Sequence, residues 1–149
     1  ATTLWLSGRR ANGQDESPNE KLDVAVVGVA GRGGANLGGV SRENVVALCD
    51  VDDRRAAESY QRYPDAQRFK DFREMLEKED KNIDAVSIAT PNHWHALATI
   101  WACQAGKDVY VEKPGCHNVF EGRKMIEAWR KYGRRMQVGL NNRSAKNEK

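Results

Sequence analysis

Short apolar runs, separated by polar stretches of helical length, recur along residues 22–140. Val24–Val27 and Val45–Cys49 are rich in β-branched residues, as strands buried on both faces of a sheet usually are. Further strand-like runs follow at 68–70, 83–89, 108–112 and 135–140. Strands alternating with helices predict an α/β fold, with a doubly wound parallel sheet of about six strands.

Capping residues mark the helix ends. Asp71 stands three residues before Glu74, and Asn118 three before Glu121, which is the spacing of a capping box. We expect Asn92 to cap the fourth helix. Two glycines end helices, at Gly106 for the fourth helix and Gly133 for the fifth.

Helical spacing also predicts which side chains face the core. In the fourth helix Leu97, Ile100 and Trp101 form the expected buried stripe. In the fifth helix Met125, Ile126 and Trp129 are expected to face inward.

Composition indicates one folded domain. The chain has 149 residues, of which 40% are hydrophobic and 30% charged, with a net charge of +3. Polar residues without periodicity predict a flexible N-terminal segment over 1–21, the folded domain over 22–141 and a polar tail over 142–149.

Several classes of partner are disfavoured. Basic residues are interspersed with acidic ones, so no nucleic-acid partner is expected. No apolar stretch approaches the roughly 20 residues of a membrane span, so no membrane partner is expected either. Residues 1–21 lack the ordered regions of a signal peptide. A cytoplasmic location and, if the segment is the stub of an export signal, a periplasmic one both stay open.

Metal and disulfide chemistry is also disfavoured. The three cysteines form no C-x-x-C pair, which argues against a disulfide framework or a zinc site. His93 and His95 are two positions apart at a helix start and would not face one ligand. No metal site is predicted.

The glycine cluster after the first strand is the main candidate for a binding site. Read as G-x-G-x-x-G, it places Gly28, Ala30 and Gly33 at the three small positions, and a second frame uses Gly28, Gly31 and Gly33. The first glycine permits a tight turn, the middle small residue admits a pyrophosphate, and the third lets the helix approach the sheet. The helix start, with Arg32, then offers free N–H groups to phosphates. A plain tight turn of an α/β protein is the alternative.

An acid follows at the distance expected for a dinucleotide site. Asp50 ends the second strand, 22 residues after Gly28, and would accept hydrogen bonds from the adenosine ribose. Its charge would repel a 2′-phosphate, which favours NAD over NADP. Arg54 and Arg55 would become the phosphate ligands if NADP were the cofactor.

Two later motifs complete a family pattern. Thr90-Pro91-Asn92 leads to His95, and Glu112-Lys113-Pro114 follows the A-G-K step of the fifth strand. With the glycine turn, these motifs resemble the glucose–fructose oxidoreductase/inositol dehydrogenase (Gfo/Idh/MocA) family over residues 22–143. The resemblance implies an N-terminal NAD(P)-binding Rossmann domain.

The resemblance also implies roles for individual residues. Thr90, Pro91 and Asn92 would border the nicotinamide, and His95 would hold the loop or helix start. Glu112 and Lys113 would approach the nicotinamide ribose, with Lys113 as the catalytic residue that assists proton transfer. The cofactor-binding candidates are then Gly28, Ala30, Gly31, Arg32, Gly33, Asp50, Thr90, Pro91, Asn92, His95, Glu112 and Lys113.

The family usually adds a C-terminal α+β substrate domain, and the chain stops before one begins. We therefore expect the NAD-binding domain of an oxidoreductase that acts on a CH–OH group of a sugar or polyol, catalytically incomplete alone. Its expected partners are the dinucleotide and either a further copy of the chain or the absent domain. The alternatives are a fragment of an NAD-dependent glycoside hydrolase and a non-catalytic Rossmann interaction module.

Overall fold

The computed structural model describes residues 21–140. The predictions for residues 1–20 and 141–149 lie outside the described residues. The strands are β1 Asp23–Val27, β2 Asn44–Cys49, β3 Gln67–Phe69, β4 Ala85–Ile88, β5 Asp108–Glu112 and β6 Met136–Gly139. The helices are α1 Arg32–Gly39, α2 Asp53–Arg62, α3 Phe72–Lys78, α4 Asn92–Gln104 and α5 Val119–Tyr132, with a 3-10 turn at Asp80–Asn82.

All six strands pair in parallel in the order β3-β2-β1-β4-β5-β6. The predicted doubly wound sheet is therefore confirmed. The chain runs outward from β1 to β3, crosses back to β4 and runs outward again to β6, so the order reverses between β1 and β4. Ligands of such sheets bind at this switch point, beyond the carboxyl ends of the strands.

Successive residues of β1 point to opposite faces, and each face carries its own apolar core. On one face Val24 and Val26 pack in a cluster with Leu37 of α1 and Tyr60 of α2. On the other face Ala25 and Val27 belong to the larger cluster, which includes residues of α3, α4 and α5. The sheet is thus held between two helical layers, which leaves its carboxyl edge for the loops.

The caps predicted at Asp71 and Asn118 are present, and the structure adds a third at Asp52. Asp52 accepts from the N–H groups of Arg54 and Arg55 at the start of α2, and Asp71 accepts from the N–H of Arg73 in α3. Asn118 accepts from the N–H of Glu121 at 2.9 Å, and Glu121 accepts from the N–H of His117 at 2.8 Å. This reciprocal pair orders the loop that follows β5.

The prediction that Asn92 caps α4 is wrong. Pro91 is the N-cap, Asn92 is the first helical residue, and no side chain caps this helix. The extended backbone of Pro91 lets the helix begin one residue early. The first turn of α4, at the carboxyl edge of the sheet, therefore has no side-chain cap.

The predicted inward faces of α4 and α5 are wrong in part. Leu97 is 37% exposed, and Ile126 and Trp129 are 41% and 38% exposed, whereas Met125 is buried as predicted. The buried face of α4 carries small residues, among them Ala98, Ala102 and Cys103, because α4 packs closely against both the sheet and α5. None of the helices within residues 21–140 is long and apolar enough to cross a membrane.

Candidate active site

The glycine turn between β1 and α1 has the backbone that its sequence predicts. Gly28 has φ +80°, and a Cβ there would lie 2.8 Å from the carbonyl oxygen of Ala89. A Cβ at Gly33 would overlap the carbonyl oxygen of Gly28. Because these two glycines have no side chains, α1 and the end of β4 can lie close against the turn. The first and third small positions are therefore structural requirements.

Gly31 differs from its two neighbours in the motif. It is the N-cap of α1, has φ +53°, and a Cβ there would meet nothing within 4 Å. No hydrogen bond among residues 21–140 uses the N–H groups of Ala30, Gly31 or Arg32. Three backbone donors at the positive end of a helix are therefore without a partner among the described residues, which fits the pyrophosphate of a dinucleotide.

Asp50 lies directly beside this turn. Its Oδ2 accepts from the N–H of Val29 at 2.9 Å, and its Oδ1 accepts from the N–H of Asp52 at 3.0 Å. Each carboxylate oxygen has a second lone pair for a further donor, such as a ribose hydroxyl. Sequence reasoning proposed the contact with ribose but missed that Asp50 also anchors the turn.

A cavity of about 300 Å³ opens between α1 and α2 next to the turn. Ala30 and Gly31 line it on one side, and Arg55, Glu58 and Arg62 line it on the other. Arg54 lies outside this lining, and its side chain is almost fully exposed. The larger cavity, about 500 Å³, lies between α3 and α4 at the opposite end of the sheet, away from the motifs.

The Glu112 carboxylate is buried at the end of β5. Arg32, the first residue of α1, donates from Nε to Oε1 of Glu112 at 2.9 Å, and the N–H of Lys113 donates to Oε2 at 3.3 Å. Burial, the largest single influence, would raise the pKa of Glu112, but the hydrogen bond and positive charge of Arg32, together with further hydrogen bonds, outweigh it, and the pKa lies below the ordinary value of 4.5. The same pairing raises the pKa of Arg32. Glu112 is therefore an anion that ties α1 to β5.

Lys113 follows Glu112 and is exposed. None of the ion pairs within residues 21–140 includes its ammonium group; Glu112 pairs with Arg32 instead. Thr90 and Pro91 lie on the neighbouring loop, between β4 and α4, and Asn92 is the first residue of α4. The predicted nicotinamide-side residues are thus on adjacent loops at one edge.

His95 lies behind these two loops. It is only 2% exposed, and its two ring nitrogens contact the carbonyl oxygens of Pro114 and Thr90 at 2.6 and 2.8 Å. No group of three His, Cys, Asp or Glu side chains in residues 21–140 is arranged to hold a metal ion.

A family model described as an oxidoreductase family with an NAD-binding Rossmann fold matches residues 22–140. The chain belongs to this Gfo/Idh/MocA oxidoreductase family. The resemblance stated from the motifs is therefore confirmed, as are the Rossmann fold and the family's NAD-binding character.

Individual family members show where the likeness ends. The chain is 32% identical over 125 residues to inositol 2-dehydrogenase of Salmonella typhimurium, covering 80% of this chain and 37% of that enzyme. It is 32% identical over 127 residues to inositol 2-dehydrogenase of Rubrobacter xylanophilus, covering 82% and 36%. Among solved structures it resembles WlbA dehydrogenase of Bordetella pertussis in complex with NADH and UDP-GlcNAcA, with a TM-score of 0.76 and 28% identity. The match covers 86% of this chain and 39% of the WlbA chain. The chain thus spans little more than a third of the length of these relatives.

Proposed function

We propose that this chain binds NAD at the Gly28–Gly33 turn and is the cofactor domain of a dehydrogenase that acts on a CH–OH group of a sugar or polyol. The observation that carries the proposal is the set of three free N–H groups at Ala30, Gly31 and Arg32, with Asp50 beside them. Together they offer donors to a pyrophosphate and an acceptor to the ribose hydroxyls. The relatives named inositol 2-dehydrogenase support the substrate class.

NAD is preferred over NADP in this proposal. Asp50 is anchored by two backbone N–H groups, so its carboxylate cannot turn away from an incoming 2′-phosphate. Arg55 lines the cavity beside the turn, but the fixed negative charge of Asp50 opposes the phosphate there.

We assign the remaining positions by the strands that carry them. The adenosine end would lie at β2 with Asp50, and the nicotinamide end over β4 and β5, near Thr90, Pro91, Asn92, Glu112 and Lys113. A bound NAD would supply hydride chemistry at the nicotinamide, and Lys113 would take or give the proton of the carbinol. The amino group of Lys113 is available for this role because the residue is exposed and Glu112 is engaged by Arg32.

The chain by itself is not expected to oxidise a polyol. Hydride transfer requires a substrate held close and shielded from water, and Lys113 is exposed to solvent. We expect no NADH fluorescence to develop when the chain is mixed with NAD and inositol or glucose. Steady turnover by a monomer of these 149 residues would contradict this part of the proposal.

Backbone NMR tests the binding site directly. On titration with NAD, the amide resonances of Ala30, Gly31 and Arg32 should shift most, with smaller changes at Thr90 and Lys113. The amide of Gly106, at the opposite end of the sheet, is the internal control. Shifts confined to residues far from the turn, or no shifts at all, would refute the proposal.

A further inference from the structure

The contacts of His95 connect two loops that no other side-chain hydrogen bond joins within residues 21–140. One ring nitrogen meets the carbonyl of Thr90 in the loop after β4, and the other meets the carbonyl of Pro114 in the loop after β5. The imidazole comes from the first turn of α4, the helix whose start no side chain caps. His95 therefore fixes the two loops relative to each other.

The contacts of His95 distinguish it from Thr99, another buried polar side chain of α4. A buried polar ring costs free energy unless its nitrogens find partners, and an apolar side chain would fill the same space without that cost. Thr99, one turn further along α4, is equally buried, and its hydroxyl has no partner. The partners of His95 are loop carbonyls at the candidate site, rather than groups of its own helix or of the sheet.

The two loops lie on one side of the switch point. Asp50 follows β2, whereas Thr90 follows β4 and Lys113 follows β5, on the other side of the point where the strand order reverses. A dinucleotide whose adenosine end meets Asp50 would therefore place its other end over the loops that His95 joins. Pro114, whose carbonyl His95 contacts, directly follows Lys113 in the chain.

We propose that His95 is a positioning residue for the nicotinamide half of the site: it sets the separation between Thr90 and Lys113 without touching the cofactor. This inference rests on the proposed function, since it needs a dinucleotide at this edge. It assigns the affinity for the two halves of NAD to different residues. Asp50 and the glycine turn hold the adenosine diphosphate half, and His95 preorganises the other half.

The test compares NAD with ADP, which lacks the nicotinamide half. Calorimetry should show that His95→Leu leaves the affinity for ADP within about twofold of wild type and reduces that for NAD about tenfold, a change of about 1.4 kcal/mol. His95→Gln should recover part of the loss, because an amide NH₂ can still donate to one carbonyl. Cys103→Ala is the matched control: it removes a buried sulfur near the other end of α4, so it should lower stability and leave the ratio of the two affinities unchanged.

Each other outcome decides against the inference. Equal weakening of NAD and ADP by His95→Leu would show a general structural role, and wild-type affinities for both ligands would show that the two loops need no tie. If His95→Leu does not fold, His95→Gln and His95→Asn replace it. Asn places an amide near the position of Nδ1, toward Pro114, and Gln places one near the position of Nε2, toward Thr90, so each keeps at most one of the two contacts. Wild-type ratios in both variants would refute the positioning role. If wild type binds neither ligand, the proposed function itself fails. If wild type binds both ligands and the His95 variants keep its ratio of affinities, only the positioning role fails.

Discussion

Asp50 and Val29 are joined by a hydrogen bond of 2.9 Å from the backbone N–H of Val29 to Oδ2 of the carboxylate. The residue proposed to bind the ribose thus also holds the glycine turn against the end of β2. In the proposed function, one carboxylate would therefore set both the shape of the pyrophosphate site and the preference for NAD. A change at Asp50 is expected to affect both properties.

Asp50→Ala should weaken NAD binding by about ten- to a hundredfold, since a charge-assisted hydrogen bond is worth roughly 1.5–3 kcal/mol. NADP should lose less, because repulsion of its 2′-phosphate is relieved. Asp53→Ala is the matched control: this carboxylate is exposed at the start of α2 and pairs with Lys70. Calorimetry with both cofactors measures the effect, and a wild type that prefers NADP would show that Asp50 has been misassigned.

Two alanine substitutions in α1 should change stability in opposite directions. Gly33→Ala places a Cβ against the carbonyl of Gly28 and should cost more than about 3 kcal/mol of unfolding free energy. A Cβ at Gly38 meets nothing within 4 Å, so Gly38→Ala should stabilise by about 0.5–1 kcal/mol. Urea unfolding of the two variants makes the comparison. Similar effects of both would mean that α1 does not pack closely on the turn.

The sequence predicts the sheet well because its signals are local. The apolar runs, the glycines and the boxes at Asp71 and Asn118 each act within a few residues, and the elements lie within about two residues of their predicted ends. The inward faces of α4 and α5 were harder to predict, because each helix carries apolar residues on more than one side. Where the helices pack closely, the buried positions hold alanine, whereas Leu97 and Trp129 lie at exposed positions.

The candidate site also contains residues that the sequence could locate and contacts that it could not. Gly28, Gly33 and Asp50 could be located from spacing, since strand, turn and acid are near in sequence. The pair of Arg32 with Glu112 could not, because 80 residues separate the two and only the sheet order brings them together. The partners of His95 are backbone carbonyls, which leave no mark in residue types.

The Arg32–Glu112 pair should make stability depend on pH. The pKa of Glu112 is lowered in the folded chain, so the pair contributes stability above the unfolded value of about 4.5 and loses it as the pH falls through the folded pKa. Arg32→Gln leaves the buried carboxylate unpaired and should destabilise the chain at neutral pH. This deficit should shrink below about pH 4.5.

This deficit is the difference between the free energies of unfolding of wild type and Arg32→Gln, and it is measured as a function of pH. Arg42→Gln removes the same charge from an exposed position before β2, at the other end of the sheet. Its difference from wild type should not change through the acid range. If the deficit of Arg32→Gln were the same at every pH, Arg32 would not be what lowers the pKa of Glu112.

The three cysteines should differ in reactivity. Burial, with the negative charges of Asp71 and Asp50, raises the pKa of Cys49 to about 12, and burial also raises the pKa of Cys103. Cys116 is partly exposed in the loop before α5. A disulfide reagent at about pH 8 should therefore label one thiol rapidly, and Cys116→Ser should abolish that phase. Rapid labelling of two or three thiols in the native protein would contradict the burial of Cys49 and Cys103.

The most direct test of the account is a calorimetric titration of the chain with NAD, alongside a variant that closes the turn. Ala30 holds the middle small position and lines the cavity, so Ala30→Leu should remove NAD binding while the chain stays folded. Ala105→Leu, a half-buried alanine at the cavity between α3 and α4, is the matched control and should bind NAD like wild type. We predict binding of one NAD per chain for wild type and Ala105→Leu and none for Ala30→Leu. No binding by the folded wild type, or equal binding by all three proteins, would contradict a cofactor site at this turn.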